Sequence, residues 1–156
     1  MEQPSVIGLV AEYNPFHRGH GHQLEAARAL LSQVPVIAVM SGSLTSGGTA
    51  PVGQWRRTRL ALLGGVDLVL ELPAAGSLQS AQGFASFGVE SLAATGLVTH
   101  LSFGCEARDP KLLLQLARED FSPGEWAAAL SGGLSYAGAA EQLACRRNPA
   151  YQGLFA

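Results

Sequence analysis

The sequence predicts a doubly wound α/β domain, a parallel sheet with helices on both faces. Three observations lead there. Short apolar runs recur along the chain with helix-like stretches between them, the strand–helix alternation that builds a parallel sheet through right-handed crossovers. The first two runs are apolar almost without interruption, which is how strands covered on both faces read. The stretch richest in chemically active side chains falls between the first run and the first helix, at the carboxyl end of a strand, where open parallel sheets bind ligands.

The first strand is expected over residues 6–11 and the second over 34–40, both nearly all apolar. The third, 66–72, keeps Asp67 and Glu71 near its two ends, and the fourth spans 98–103. A helix over 19–32 follows from Leu24, Ala27 and Leu31 at three-to-four spacing, with Glu25 and Arg28 on the other side. A second helix, 55–63, sets Arg56, Arg57 and Arg59 ahead of Leu60, Leu62 and Leu63. A third, 79–94, aligns Ala81, Phe84, Gly88, Val89 and Leu92 as one buried stripe, with Gly96 as its stop. Beyond Gly104 the segments 111–118, 124–130 and 136–146 read as helices broken by Gly and Pro, with no further strand. Glycines among small polar residues make 41–49 read as a mobile loop. The organisation expected is an α/β core over 1–106 and a helical C-terminal extension of the same domain over 107–156.

Composition narrows the function classes. The chain has 156 residues, 47% apolar and 14% charged, enough for one domain that buries roughly 68–70% of its unfolded surface. Ten Lys and Arg against twelve Asp and Glu leave a net charge of −2, so no polybasic field advertises nucleic-acid binding. The longest apolar runs, such as 34–40, fall far short of the ~20 residues that cross a bilayer. The opening Met-Glu-Gln-Pro-Ser carries an acid and no basic cluster, unlike a secretory signal. Cys105 and Cys145 are too few for a disulfide framework, and neither has metal-ligand spacing around it. A cytoplasmic protein is the expectation.

The candidate chemistry sits in Glu12-Tyr13-Asn14-Pro15-Phe16-His17-Arg18-Gly19-His20. A helix N-terminus there offers unpaired N–H groups and a positive dipole end, an anion site. His17 and His20 are three apart, so in a first helical turn they point to the same side. Two imidazoles aimed at one spot donate hydrogen bonds to a phosphate whose charge grows as pyrophosphate leaves. One preorganised donor of this kind is worth ~10²–10³ in rate. Gly19 between them lets a base or phosphate approach the backbone. Each His alone also reads as a solvated or capping residue. A zinc site from His17, His20 and His22 stays open as well, although only Glu12 offers a further ligand.

These residues carry a resemblance. His17-Arg18-Gly19-His20 resembles the H-x-G-H signature of the nucleotidyltransferase superfamily, related to class I aminoacyl-tRNA synthetases. The longer string Ala11-Glu12-Tyr13-Asn14-Pro15-Phe16-His17-x-Gly19-His20 is similar to that of the tRNA(Met) cytidine acetate ligases. Collinear blocks follow: Met40-Ser41-Gly42, Trp55-x-Arg57-Thr58, Gly65-Val66-Asp67-Leu68-Val69-x-Glu71-Leu72-Pro73, Phe103-Gly104-x-Glu106 and Leu134-Ser135-Tyr136.

The resemblance implies a Rossmann-like (HUP-type) nucleotidyltransferase fold. It further implies activation of acetate by ATP as acetyl-adenylate, then transfer of the acetyl group to N4 of the wobble cytidine of elongator tRNA(Met). By the same analogy His17 and His20 are the catalytic pair at the phosphates. Val10, Ala11, Glu12, Tyr13, Asn14, Pro15, Phe16, Gly19 and Gly104 bind the nucleotide, and Mg²⁺ neutralises the remaining triphosphate charge.

The chain departs from the family in two places. After Met-Ser-Gly the family continues with a Q-R-G-E-P-A segment, whereas 43–51 here carries no Arg or Glu. The family also runs on past Leu-Ser-Tyr into further phosphate-loop and tRNA-binding portions. The expectation is therefore a truncated or impaired ligase that engages tRNA only if the later portion is supplied. The alternatives are a small-molecule adenylyl- or cytidylyltransferase and a non-catalytic nucleotide-binding module.

Other residues receive plainer readings. Trp55 and Phe84 read as core, and His100 as an interior histidine. The three arginines of the second helix read as solvated charges or as a phosphate-facing edge. Glu71 reads equally as a structural hydrogen-bonder and as a catalytic group. Cys105 lacks a basic partner to lower its pKa and is not read as a nucleophile.

Overall fold

The computed structural model describes residues 4–45, 48–104, 110–152 and 154. Met1 to Gln3, Ser46, Gly47, Cys105 and Glu106 therefore lie outside the described residues, along with the readings that fell on them. The chain separates into two compact units, Met1–Gly104 and Cys105–Ala156.

The first unit is a parallel α/β sheet. Its strands β1 (Ile7–Ala11), β2 (Val36–Ser41), β5 (Leu68–Leu72) and β6 (His100–Leu101) stand in the order β5-β2-β1-β6. All three pairings are parallel, and β1 meets β2 in the register Ile7 to Val36 through Ala11 to Met40. The first and third linking helices, α1 (Arg18–Leu31) and α4 (Ala81–Ala94), lie on opposite faces, and α2 (Gln54–Leu63) joins α1. The two-residue periodicity of a strand produces this division. Ile7, Leu9, Val36, Ala38 and Met40 pack with Leu24 of α1 and Ala61 of α2, while Ile37, Val39 and Val10 pack with Leu92 and Phe84 of α4. The doubly wound prediction holds.

Small residues set how closely α4 approaches the sheet. A Cβ at Gly88 would fall inside van der Waals contact of both Val10 methyls, and one at Gly8 would press on Val98 and Leu92. The stripe expected on α4 is narrower than its apolar spacing promised. Gly88 and Leu92 are buried and Phe84 half-buried, but Ala81 and Val89 are exposed. Because glycine is the contact point, the helix lies close along one line and leaves its flanks uncovered. Gly96, at φ +65°, follows the helix in the left-handed conformation that stops helices.

The segment read as a mobile loop contains a short antiparallel pair, β3 (Leu44–Thr45) and β4 (Gly48–Thr49). Thr45 is buried there and its hydroxyl donates to the Gly48 carbonyl at 3.0 Å. A one-turn helix, α3 (Ala74–Ser77), after β5 was not foreseen. Its small residues lack a readable period.

The second unit holds α5 (Pro110–Leu116), α6 (Pro123–Ser131), α7 (Tyr136–Arg147) and a 3₁₀ turn at Pro149–Tyr151. Ala129, Ala139 and Leu143 form its core, flanked by Phe121 and Trp126. Ser122 and Glu125 make a reciprocal capping box that starts α6, which holds the Glu125 carboxyl below its usual range. Ser135, from the Leu-Ser-Tyr block, caps α7.

Gly88→Ala tests the close approach of α4. Alanine favours a helix by up to ~1 kcal/mol over glycine, but forcing a methyl onto the stiff Val10 costs about 1–3 kcal/mol. A net loss of stability in urea denaturation is expected.

Candidate functional site

The chain leaves β1 at Ala11 and turns sharply into α1. Tyr13 adopts φ +44° and the Asn14–Pro15 peptide is cis. The left-handed backbone at Tyr13 is a conformation that a bulky residue adopts only when its surroundings hold it. They do: its ring is 2% exposed and lies 4.9 Å from Phe16 and 4.6 Å from His20, centroid to centroid. Phe16 in turn covers Gly64, where any Cβ would strike its ring. Burial pushes the Tyr13 hydroxyl up to a pKa of about 12.

The two histidines close the start of α1 on each other. His17 is the cap residue rather than a member of the first turn, and His20 is the third helical residue. The His17 Nδ1 accepts from the Gly19 N–H at 3.1 Å, and the His20 Nδ1 accepts from the His17 N–H at 3.2 Å. This is the reciprocal geometry of a capping box, built here from imidazoles in place of hydroxyl and carboxylate. Their rings stack with centroids 3.6 Å apart and planes 23° from parallel. Since each Nδ1 accepts, each neutral ring carries its proton on Nε2. The cap thus leaves an Nε2–H on each ring to donate elsewhere. Burial first, and the neighbouring His17 second, lower the pKa of His20, so the ring stays neutral at physiological pH. Gly19 also has a nearer role than ligand approach: a Cβ there would crowd the His17 ring at 3.0 Å.

These residues line a cavity of about 520 Å³. One wall is the turn after β1, comprising Val10, Ala11, Glu12, Tyr13, Asn14 and Pro15. His17, His20 and Gln23 of the α1 side face Phe103 and Gly104 beyond β6. The cavity lies at the carboxyl ends of β1 and β6, where the strand order reverses. The chain steps outward from β1 through β2 to β5, then returns to place β6 on the other side of β1, the switch point of the sheet. Every predicted binding residue lines it except Phe16 and Gly19, which support the wall from behind. Gln23 was missed, although it lies three residues beyond His20 on the same helix face. The Tyr13 hydroxyl and the Asn14 Oδ1 are buried with no protein hydrogen-bond partner, which fits a wall that still awaits polar contacts.

Arg57 was misread. Its guanidinium is 0% exposed and faces inward with Ala61, while Leu60, Leu62 and Leu63 face solvent. It donates to the Val52 carbonyl at 3.0 Å and the Ser41 carbonyl at 2.9 Å, and also to the carbonyls of Glu12 and Gly42. Apolar spacing hid this because the inward positions of α2 are an arginine and an alanine. Burial lowers the Arg57 pKa and the Glu12 carboxylate opposes that, but an arginine remains charged regardless.

Three further readings change or settle. Trp55 is 79% exposed rather than core, because α2 turns Arg57 inward instead. His100 is exposed on the edge strand β6, 2.8 Å from the Thr99 hydroxyl. Asp67 is structural, accepting from the Val36 N–H at 2.8 Å and pairing with Arg28. Among the described residues no three His, Cys, Asp or Glu side chains gather as a metal site, and no helix is long and apolar enough to cross a membrane.

A crevice at the switch point of a parallel sheet, with a helix dipole and two imidazoles at its mouth, defines a Rossmann-like domain built to receive an anionic ligand. The chain belongs to the HIGH nucleotidyltransferase family, whose family model, described as HIGH Nucleotidyl Transferase, matches residues 4–152. The tRNA(Met) cytidine acetate ligase of Clostridium kluyveri is 45% identical over 114 residues, 72% of this chain and 28% of the relative. The ligase of the same name from Fervidobacterium nodosum is 47% identical over 113 residues, 72% of this chain and 27% of the relative. The crystal structure of Thermotoga maritima TmcAL bound with alpha-thio ATP superposes with a TM-score of 0.80 at 39% identity, over 96% of this chain and 37% of that one. This chain thus spans less than a third of the length of those curated relatives.

Two outcomes follow from the geometry. Arg57→Met leaves four carbonyls without their donor, two of them buried, and at about 1–3 kcal/mol per buried unsatisfied group a stability loss of about 2–6 kcal/mol is expected in chemical denaturation. The second concerns pH. His20 has a folded pKa below its unfolded value of 6.5, so the unfolded chain takes up the proton first. The cap's contribution is complete above about pH 6.5 and is lost as pH falls through the folded pKa. His20→Gln keeps an acceptor at the same position without titrating. A flatter dependence of melting temperature on pH below 6.5 is expected for that variant.

Proposed function

We propose that this chain binds ATP in the histidine-lined cavity and is the nucleotide-binding portion, α/β core 1–106 with helical extension 107–156, of a tRNA(Met) cytidine acetate ligase. The observation that carries this is the stacked His17–His20 pair at the N-terminus of α1, lining the cavity with both Nδ1 atoms turned back to the backbone. The structure of Thermotoga maritima TmcAL bound with alpha-thio ATP supports the choice of nucleotide.

In this reading the stacked imidazoles hold the phosphates at the positive end of the α1 dipole, the cap having already engaged the Gly19, His20 and Gly21 N–H groups. Their hydrogen bonds strengthen as negative charge grows on the departing pyrophosphate, which is how preorganised donors lower a barrier. Acetate attacks the α-phosphate and pyrophosphate leaves, giving acetyl-adenylate. The Tyr13 hydroxyl and Asn14 amide complete the wall around the nucleotide. Among the described residues no cluster of side chains gathers to hold a metal; Mg²⁺ would come with the triphosphate and would supply counter-charge there. The acetyl acceptor is the tRNA cytidine, with tRNA contacts drawn largely from the portion that this chain does not span. Cytoplasmic residence agrees with a tRNA substrate.

Calorimetry tests this. ATP is expected to bind the unmutated chain, and His20→Ala to weaken binding about 10–100-fold, the worth of one hydrogen bond to a charged group. No heat of binding with the unmutated chain refutes the reading. Acetate-dependent exchange of pyrophosphate into ATP identifies the ligase half-reaction, and exchange only with phosphate esters identifies a small-molecule nucleotidylyltransferase. The absence of Arg and Glu from 43–51 favours a second reading, a nucleotide-binding module without turnover. ATP binding with no exchange selects it.

A further inference from the structure

A second cleft opens one strand over from the histidine cavity. It measures about 210 Å³, less than half the larger cavity, and lies between the carboxyl ends of β2 and β5 and the first turn of α2. Gly42, Gln54, Trp55, Thr58 and Glu71 are the residues that give it chemical character. Arg57 stands between the two spaces, holding the Glu12 carbonyl on one side and those of Ser41 and Gly42 on the other. Adjacent strands are about 4.8 Å apart, so the two spaces are near neighbours.

The polar groups in this cleft are oriented. Gln54 Nε2 donates to Glu71 Oε2 at 3.3 Å, and Gln54 Oε1 accepts from the Ser43 hydroxyl at 2.8 Å. The opposite amide orientation would set Oε1 against a carboxylate, so Glu71 fixes which way Gln54 points. Gln54 retains one N–H beyond the bond to Glu71, and the carboxylate retains acceptor sites. A carboxylate acceptor and an amide donor therefore stand side by side. Glu71 also lies directly over the bare Cα of Gly42, where a Cβ would collide with it. Beside them, Trp55 presents an indole that is 79% exposed on a helix whose inward face is already filled.

We propose that this cleft receives the acceptor base, an unpaired pyrimidine bearing an exocyclic amine. Trp55 stacks on the ring, Glu71 accepts from the amine, and Gln54 donates to the adjacent ring nitrogen. Cytosine presents that donor–acceptor edge. Uracil presents the reverse, a carbonyl facing the carboxylate and an N–H facing the amide donor, and is rejected. Single-stranded bases are read in this way, by stacking on an exposed aromatic and by hydrogen bonds to the Watson–Crick edge. This inference rests on the acetate-ligase reading for the identity of the acceptor.

Tryptophan fluorescence tests it, in a Trp126→Phe chain that leaves Trp55 as the only indole. Cytidine and uridine are titrated without ATP, so the outcome does not depend on the nucleotide site. Cytidine is expected to quench Trp55 at about fivefold lower concentration than uridine, the lower end of what one base-edge recognition confers. Glu71→Gln is expected to bring the two within about twofold, because a neutral amide turns to suit either base. Its thermal unfolding and its ATP binding serve as checks that the fold is kept. Equal quenching by both nucleosides, a cytidine preference that survives Glu71→Gln, or no quenching up to the solubility limit overturns the inference. Loss of ATP binding in the unmutated chain overturns the ligase reading instead.

Discussion

One buried cation ties the working end of the sheet together. Strand ends in a parallel sheet present carbonyl oxygens that no neighbouring strand can satisfy, and burying them without donors is costly. Arg57 supplies donors to the ends of both central strands and to the segment that leads into its own helix. Its planar, five-donor fork suits that task in a way the ammonium of a lysine does not. The positions of the turn after β1 and the edge of β2 are consequently set by one side chain. The histidine cavity and the Trp55 cleft are both built on those edges, so their spacing is fixed by the same group.

Much of this was legible in the sequence where burial and periodicity agree. The unbroken apolar runs before Ala11 and before Met40 gave away strands covered on both faces, and Gly96 marked a helix end. The stretch from Glu12 to His20 announced the site because its chemistry is local: a turn, a cap and a helix start lie within nine residues of chain. What stayed hidden depends on partners distant in sequence. Nothing near Arg57 reveals that carbonyls at Glu12 and Ser41 await it, so its charge argued for solvent. Trp55 failed for the complementary reason, since hydrophobicity argues for burial only if the helix turns that way. The close approach at Gly88 is visible only once Val10 is opposite it. The glycines and small polar residues of 41–49 read as a loop because β3 and β4, at two residues each, are too short to show a period.

The electrostatic character of the mouth follows from tautomers rather than from net charge. Imidazoles that accept through Nδ1 add directed donors at a helix N-terminus, and His20, whose pKa burial lowers, adds no cation to oppose the helix dipole. The chain's formal charge of −2 therefore says little about its attraction for an anion. Attraction comes from dipoles held in place by the stacking of the two rings and by the Tyr13 and Phe16 rings around them.

Committing both Nδ1 atoms to the cap has a chemical consequence. His20 cannot take up a proton at Nδ1 without releasing the His17 N–H and loosening the start of the helix. Nε2 is already protonated, so the pair has no lone pair to spare for deprotonating a nucleophile. A centre so arranged serves attacking groups that arrive as anions at working pH, as carboxylates do, and would leave an alcohol unactivated.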